Sequence, residues 1–292
     1  MKAASRLYAL AILAGTPILL NAVEFEPNTL QAWDHYTKTA NSRMQARQCG
    51  QRPFLWADEE PDRKSRLRRG ETLLAPVSGR GTQSVPNGLI HDWIGAVFTP
   101  SATVEGLLAV FHDYDRYNEF YKPAVADAKA VAYTDRDQRF SLVWQHRVLF
   151  VSAAIEGQYQ AHDFVLDERR GYSITATTQI QQFEGYGLSN EHLLPPGQGN
   201  GFIWHLYSIV KYEDRDGGLY LETEAIALAR DIPSSLRWIV KPVVNHLSIA
   251  SLATTLRQTR DAVNSLAGQP YRLALSGGGS RNFGKTWEGT GN

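Results

Sequence analysis

The sequence has 292 residues, of which 43% are hydrophobic and 21% charged, and its 30 lysines and arginines balance its 30 aspartates and glutamates. This composition is typical of a folded globular protein and excludes wholesale disorder, collagen and a polytopic membrane protein. The lack of net charge gives no electrostatic reason to expect a nucleic acid as the partner. The single cysteine, Cys49, excludes an intramolecular disulfide and a cysteine-rich zinc site, so stability must come from apolar burial.

The first 22 residues have the pattern of a secretory signal peptide. Lys2 and Arg6 precede an apolar run from Leu7 to Leu20, and Ala22 offers a small residue for cleavage. The run has 14 residues, fewer than the roughly 20 that a membrane-spanning helix needs. We therefore predict that residues 1–22 are a signal peptide and that the protein is exported, to a periplasm or to the extracellular space. A packed N-terminal helix and an uncleaved anchor are the alternatives.

Residues 23–70 are predicted to form an N-terminal helix and a charged linker. Between Asn28 and Gln48, apolar residues recur every three or four positions, which is typical of an amphipathic helix. These residues are Leu30, Trp33, Tyr36, Ala40 and Met44. Acidic and basic residues then crowd around Pro61, from Asp58 to Arg69, and this pattern indicates a solvated linker.

Residues 71–267 carry the signals of an antiparallel sheet closed by a long helix. Turn residues separate runs of strand-like sequence. The predicted strands are Thr72–Val77, Leu89–Phe98, Lys129–Tyr133, Phe140–Ala153, Ile155–Leu166, Tyr172–Gln182, Phe202–Glu213 and Leu219–Ala229. An apolar stripe from Val104 to Phe111 predicts a short helix after the second strand. Helical spacing from Leu236 to Leu266 predicts one long final helix, so the fold class is α+β.

Two segments carry a resemblance to a known family. The first is Val110 to Phe120, with the sequence VFHDYDRYNEF, and the second is the closing helix that follows Arg230-Asp231-Ile232-Pro233. The first segment is similar to a D-x-x-x-Y-x-x-F pattern in the SRPBCC superfamily, which includes START-like domains and their polyketide-cyclase and coenzyme Q-binding relatives. The resemblance covers about residues 71–267. It implies a helix-grip fold, in which a curved antiparallel sheet wraps the C-terminal helix around a cavity, and it transfers no catalytic signature.

Residues 268–292 have few apolar side chains and are predicted to be a disordered tail. Within them, Gly279, Gly284, Lys285 and Thr286 match the letters of a phosphate-binding loop. Such a loop needs a helix whose first amides point at phosphate, and only six residues follow Thr286. We therefore expect no nucleotide site here.

Aromatic side chains on two predicted strand faces are candidates for lining a cavity. On the first face, Trp144 and His146 alternate with polar positions and follow Phe140. His146 is the one titratable group on that face and could bind a ligand or shuttle a proton near neutral pH. Trp204 lies on the second face, beside Phe202. The simpler explanation is that all three are core side chains with partners inside the protein.

Glu224 and Arg230 are candidate polar anchors for a ligand on the last predicted strand. They share one alternating face, and Thr223 lies on the other. Small residues beside a packed helix favour the Thr223 face as the inner one, which would leave Glu222 and Glu224 in water. If the parity is reversed, Glu224 and Arg230 become buried and must pair.

The sequence favours an exported protein that holds a hydrophobic small molecule, such as a lipid, isoprenoid, quinone or polyketide, in a helix-grip cavity. It contains no zinc-helix motif and no nucleophile elbow, so we expect no metal and no cofactor. One alternative is a cyclase or aromatase in the same cavity, in which His146 or a buried carboxylate moves protons. Another is an envelope interaction module without a ligand, in which residues 28–48 present a surface to a partner or a membrane.

Overall fold

The computed structural model describes residues 27–134, 137–148, 151–199, 203–230 and 237–266 of the chain. Within these ranges, residues 146–148, 151–153 and 237–247 are described by their backbone alone. The predicted signal peptide, the predicted disordered tail and its phosphate-loop-like sequence lie outside the described residues.

An N-terminal helical segment precedes the sheet. It consists of helix α1 (Pro27–Gln48), a 3-10 turn (Trp56–Glu59) and helix α2 (Pro61–Arg68). The predicted apolar stripe of α1 is buried at Trp33 and at the three apolar positions that follow it. This outcome confirms the amphipathic helix, and the buried residues of α1 are Thr29, Trp33, Tyr36, Ala40 and Met44.

Strands and short helices then follow in the predicted order. The strands are β1 (Leu73–Pro76), β2 (Thr82–Val85), β3 (Gly88–Pro100), β4 (Val125–Tyr133), β5 (Asp137–Val148), β6 (Val151–Val165), β7 (Arg170–Glu184), β8 (His192–Leu193), β9 (His205–Arg215) and β10 (Gly218–Arg230). Between β3 and β4 lie helix α3 (Val104–Phe111), a 3-10 turn (Tyr114–Arg116) and helix α4 (Tyr117–Phe120). Helix α5 (Arg237–Leu266) is the last element described.

The described strands pair antiparallel in the order β1-β3-β10-β9-β7-β6-β5-β4. Strand β2 also pairs with β3, and β8 pairs with β7. The last strand, β10, therefore returns to lie beside β3, and the long helix α5 follows it. This architecture confirms the predicted α+β helix-grip class with an additional N-terminal helix.

The face of the sheet that meets α5 is called the inner face. Leu221 and Ala225 of β10 pack there in one cluster with Leu252 and Leu256 of α5. Since these β10 residues have the same parity as Thr223, the prediction that the Thr223 side is the inner one is confirmed. Leu256 also rests on β3, where a Cβ added to Gly95 would lie 2.6 Å from the Leu256 Cδ1 atom.

The opposite face is called the outer face, and the N-terminal segment covers it. Trp33 and Met44 of α1 join Ile94 of β3 and Ile226 of β10 in one buried cluster. The outer face therefore has a dry core of its own, and the sheet lies between two helical layers.

The charged stretch predicted as a solvated linker is instead folded and attached to the sheet, so that prediction is wrong. Pro61 begins α2, where its missing N–H costs nothing, and Leu67 of α2 is fully buried. The charged side chains find partners at the β9–β10 turn. Both carboxylate oxygens of Asp58 accept from Arg215, at 2.6 and 2.7 Å.

The described helices include none that combines the length and the apolar character required to span a membrane.

Candidate ligand-binding face

Small side chains cross the middle of the inner face. The register places Thr175 of β7 opposite Ser208 of β9, and Ser208 opposite Ala225 of β10. Thr223 and Ala227 flank Ala225 on the same side of β10. All five residues remain partly exposed to solvent, although they lie on central strands of the sheet. These five residues are called the inner wall.

Four residues on the outer side of β9 and β10 are buried much more completely. Ile209, Lys211, Glu222 and Ile226 are no more than 2% exposed. Because both sides belong to the same central strands and both face a helical layer, the difference must come from how closely each layer approaches. The inner wall is therefore less completely covered than these outer positions, although Ala225 still packs in the cluster that includes Leu252 and Leu256 of α5.

An aromatic cluster lies on the inner face towards β4. The Phe140 ring stacks between Tyr114, with ring centroids 4.1 Å apart, and Tyr159, at 5.0 Å. The Trp144 Nε1–H donates to the Tyr159 hydroxyl at 2.8 Å. Burial raises the pKa of Tyr159 well above its ordinary value, so this phenol stays neutral. The hydroxyls of Tyr121 and Thr259 lie 3.1 Å apart and join the cluster to α5.

The predicted lining residues do not come together on one surface. Trp144 belongs to the edge of the aromatic cluster on the inner side. Trp204 packs against the outer cluster, and its backbone N–H donates to the Leu228 carbonyl at 2.7 Å. The side chain of His146 lies outside the described residues. A ligand role therefore stays a prediction for each of them, and only Trp144 is placed beside the inner wall.

The prediction that Glu222 and Glu224 face water is wrong. Glu222 is fully buried, and its carboxylate accepts from the backbone N–H groups of Trp56 and Ala57, at 2.8 and 2.7 Å. The Lys211 ammonium lies 2.7 Å from the same carboxylate. The buried Glu222 carboxylate thus has its cation from β9 and two backbone amides from the N-terminal segment.

Glu224 also lies under α1, where the Arg43 Nη2 atom is 2.5 Å from its Oε1 atom. Its partner is therefore Arg43 and not the predicted Arg230, which lies partly buried at the end of β10. The same Nη2 atom lies 3.2 Å from Asp92 of β3. Glu224 and Arg230 lie on the outer side of β10, which faces away from α5. In this structure they are therefore not placed to anchor a ligand between the sheet and α5.

A second polar network borders the aromatic cluster. His112 Nε2 lies 2.8 Å from Asp163 Oδ2, and the Gln138 amide donates to the same oxygen at 2.8 Å. The Tyr114 hydroxyl donates to Gln138 at 2.9 Å. Although burial raises the pKa of Asp163, the bonds from His112 and Gln138 hold it below its ordinary value. Each of these groups is satisfied within the protein, and the described residues contain no group of acidic, histidine or cysteine side chains suited to a metal ion.

A separate groove of about 410 Å³ lies between α2 and the edge strand β1. Its walls include Trp56, Arg63, Arg66 and the run Thr72–Ala75. The two arginines already contact carboxylates, Glu59 and Glu60 for Arg63 and Asp62 and Glu71 for Arg66. The groove is therefore polar and internally neutralised, unlike the inner wall.

Thr175 and Ser208 lie in the predicted strands Tyr172–Gln182 and Phe202–Glu213, but neither residue was among the predicted lining residues. The signal that could have found them is the run of small residues on one side of the last strand, Thr223, Ala225 and Ala227, since small side chains on adjacent strands make a hollow.

No model of a known protein family matches the chain, and no curated protein is similar to it. Solved structures with a similar fold include the STAR-related lipid transfer protein from Xanthomonas axonopodis, at 16% identity over 66% of this chain and 98% of that one, with a TM-score of 0.40. Human STARD10 has 10% identity over 66% of this chain and 79% of its own, with a TM-score of 0.40. The Zhui aromatase/cyclase from Streptomyces sp. R1128 has 9% identity over 62% and 97%, with a TM-score of 0.38. The likeness is distant and concerns the fold alone.

Proposed function

We propose that the protein binds a hydrophobic small molecule, of the lipid, isoprenoid, quinone or polyketide kind, between the inner wall and α5. The observation that carries the proposal is the partial exposure of the inner wall, set against the near-complete burial of Ile209, Lys211, Glu222 and Ile226 on the outer side of β9 and β10. A binding site for an apolar molecule requires such space inside the fold, since each Å² of apolar surface removed from water contributes about 25 cal/mol.

The chemistry of the inner wall supports an uncharged occupant. Its five residues are two alanines, two threonines and a serine, none of which carries a charge. The three hydroxyls are suited to orienting a carbonyl or hydroxyl of the ligand, while the methyl groups contact its apolar body. An ionised ligand would lack a counter-charge along this wall and would lose its hydration on entry.

Native mass spectrometry of protein purified from its own host tests the proposal directly. We expect an apolar small molecule to co-purify, to be removed by delipidation, and to rebind when it is returned. A protein that carries no such molecule, and that takes up none from a host lipid extract, would count decisively against the proposal.

A matched pair of substitutions tests whether the space exists. Ala227→Phe adds a ring at the inner wall, and Ala96→Phe adds the same ring on the outer side of β3, where Ala96 is fully buried. We expect Ala227→Phe to leave the melting temperature nearly unchanged and to weaken ligand binding at least about tenfold. Ala96→Phe should instead cost about 1–3 kcal/mol of stability through overpacking. Equal destabilisation by both would show that the inner side is as solid as the outer side.

Export is the second part of the proposal, and it is supported by the sequence alone. Lys2 and Arg6 followed by the short apolar run and Ala22 form the signal-peptide pattern. Expression of the full chain in a bacterium, followed by fractionation and N-terminal sequencing, should recover mature protein beginning at Val23 outside the cytoplasm. Recovery in the cytoplasm with an intact N-terminus would contradict export without affecting the ligand proposal.

A further inference from the structure

Two buried carboxylates on the outer face share a single guanidinium from α1. Asp92 of β3 and Glu224 of β10 project from adjacent strands, and their side chains are 2% and 12% exposed. The Arg43 Nη2 atom lies 3.2 Å from Asp92 and 2.5 Å from Glu224. The Tyr36 hydroxyl, also from α1, donates to Asp92 Oδ2 at 2.9 Å. These four side chains are called the α1 latch.

The charges of the α1 latch do not balance when both acids are ionised. Two carboxylates then face one guanidinium, and the second negative charge has lost its hydration without gaining a cation. The Asp92 Oδ1 atom is buried with no hydrogen-bond partner in the described part of the chain. An oxygen in this situation is better accommodated in a neutral carboxylic acid than in a carboxylate.

We propose that the α1 latch makes the docking of α1 on the sheet depend on pH, tight when Asp92 is protonated and looser when Asp92 is ionised. Burial, followed by the negative charge of Glu224, raises the pKa of Asp92 from 3.8 to about 7. In a chain whose α1 has left the sheet, Asp92 is hydrated and ionises at its ordinary value. The advantage that protonation gives to the docked form is therefore complete at and below the ordinary value, and it is lost progressively as the pH rises from there to about 7.

The other titratable groups at this interface define the pH window in which Asp92 acts alone. Burial, followed by the neighbouring Asp92, raises the pKa of Tyr36 to about 12, and Arg43 remains charged, so neither titrates near neutral pH. Tyr207 of β9, which donates to Asn41 of α1 at 2.6 Å, also has a raised pKa. His205 of β9 stacks on Trp33 of α1, and burial lowers its pKa. Acid would charge His205 and oppose docking, so the comparison is best made between pH 6.0 and 8.5.

Undocking would change what the protein presents to its surroundings. The outer face beneath α1 contains Ile94, Ile209 and Ile226, each no more than 4% exposed. Release of α1 would expose this apolar sheet face together with the apolar stripe of the helix itself. The α1 latch thus keeps the apolar sheet face and the apolar stripe of α1 covered by each other at neutral to mildly acidic pH.

Hydrogen–deuterium exchange of the full chain tests the latch. After correction for the intrinsic pH dependence of exchange, we expect protection of α1 peptides to fall about tenfold from pH 6.0 to 8.5, because Asp92 ionises in that interval. Peptides from β9 and β10 should change much less. Equal protection of α1 at the two pH values would overturn the proposal.

Asp92→Asn identifies the group responsible, because its amide mimics the protonated acid and offers a donor at the unpartnered position. This variant should keep α1 protected at pH 8.5, while Asp163→Asn, a matched change in the inner-side network, should retain the pH dependence of the unmodified chain. A pH dependence that persists in Asp92→Asn would refute the latch. If Asp92→Asn does not fold, titration of the Asp92 carboxyl by NMR decides: a midpoint near 7 supports the latch, and one near 4 refutes it.

Discussion

The two sides of the sheet are formed by the same strands but are covered in different ways. On the outer side, the N-terminal segment brings an arginine, two backbone amides and a phenol to three buried carboxylates. On the inner side, α5 touches β3 and the aromatic cluster but leaves the small residues of the central strands partly exposed. The two sides of the same strands therefore differ in how completely they are covered, and the proposed binding site lies on the less covered side.

Charged residues are not confined to exposed positions in this protein. The fully buried Glu222 lies on the tightly packed side, whereas the five uncharged residues of the inner wall keep some exposure. A buried carboxylate is tolerated only where its partners are fixed, and the rigid outer layer provides them.

Removal of a partner from the outer side should have the largest effect. Lys211→Met leaves the Glu222 carboxylate buried with its two backbone amides but without its cation. We expect a loss of about 3–5 kcal/mol in the free energy of unfolding, measured by urea denaturation. The matched change Lys129→Met, at an exposed position on β4, should have almost no effect. A loss below about 1 kcal/mol for Lys211→Met would mean that the amides alone hold the charge.

Two buried acids should give pH dependences of opposite sign. The pKa of Asp92 is raised to about 7 in the folded protein by burial and by Glu224, so its contribution is present at low pH and is lost between about 4 and 7. Against Asp92→Asn, the unmodified chain should therefore lose up to about 4 kcal/mol between pH 4 and 8.

Asp163 should behave in the reverse manner. Despite its burial, bonds from His112 and Gln138 hold its pKa below the ordinary value, so its contribution is present above about 3.8 and is lost as the pH falls further. Urea denaturation of the unmodified chain, Asp92→Asn and Asp163→Asn, from below pH 3.8 up to pH 8, measures both effects. Parallel curves for the two variants would contradict the assignment.

Two glycines should respond to alanine with opposite signs. Gly95 lies where α5 rests on β3, and a Cβ there would be 2.6 Å from the buried Leu256. Gly95→Ala should cost about 1 kcal/mol because the helix must shift. Gly106 of α3 has no atom closer than 3.7 Å to such a Cβ, so Gly106→Ala should stabilise by roughly 0.5–1 kcal/mol. Thermal unfolding compares them, and a stabilising Gly95→Ala would show that α5 is not in close contact with the sheet.

Loss of one peripheral hydrogen bond should have the smallest effect. Tyr207→Phe removes the donor that reaches Asn41 on α1 at 2.6 Å and keeps the ring in place. We expect a loss of about 0.5–1 kcal/mol by urea denaturation. The double variant with Asn41→Ala should lose little more than Tyr207→Phe alone, because the two changes remove the same bond. Fully additive losses would show that the bond contributes nothing.

The fold was predictable because periodicity records which side of an element is buried. The spacing of Trp33, Tyr36, Ala40 and Met44 predicted the buried stripe of α1, and Thr223 with its small neighbours predicted the inner side of β10. The spacing of apolar residues does not show which segment of the chain packs on the buried side. It therefore could not show that the turn at Trp56 covers Glu222 or that α1 covers Glu224, because these partners are far away in the sequence.

Two smaller errors have the same kind of cause. Asp58 was assigned to a solvated linker because its partner, Arg215, is 157 residues away in the chain. The predicted strand from Phe140 to Ala153 crosses a break, since β5 ends at Val148 and β6 begins at Val151. The apolar sequence at that point contains no glycine, proline or asparagine, so no turn signal was present.

The amides that hold Glu222 belong to residues 166 and 165 positions earlier in the chain. During synthesis, α1 and the turn after it leave the ribosome well before β10 exists, so they have no surface to dock on while most of the sheet is being made. Contacts of such long range form slowly, because a large loop must close before they contribute any stability. The N-terminal segment is therefore translated early but is among the last elements to dock on the sheet. Until it docks, the apolar stripe of α1 needs protection from other chains.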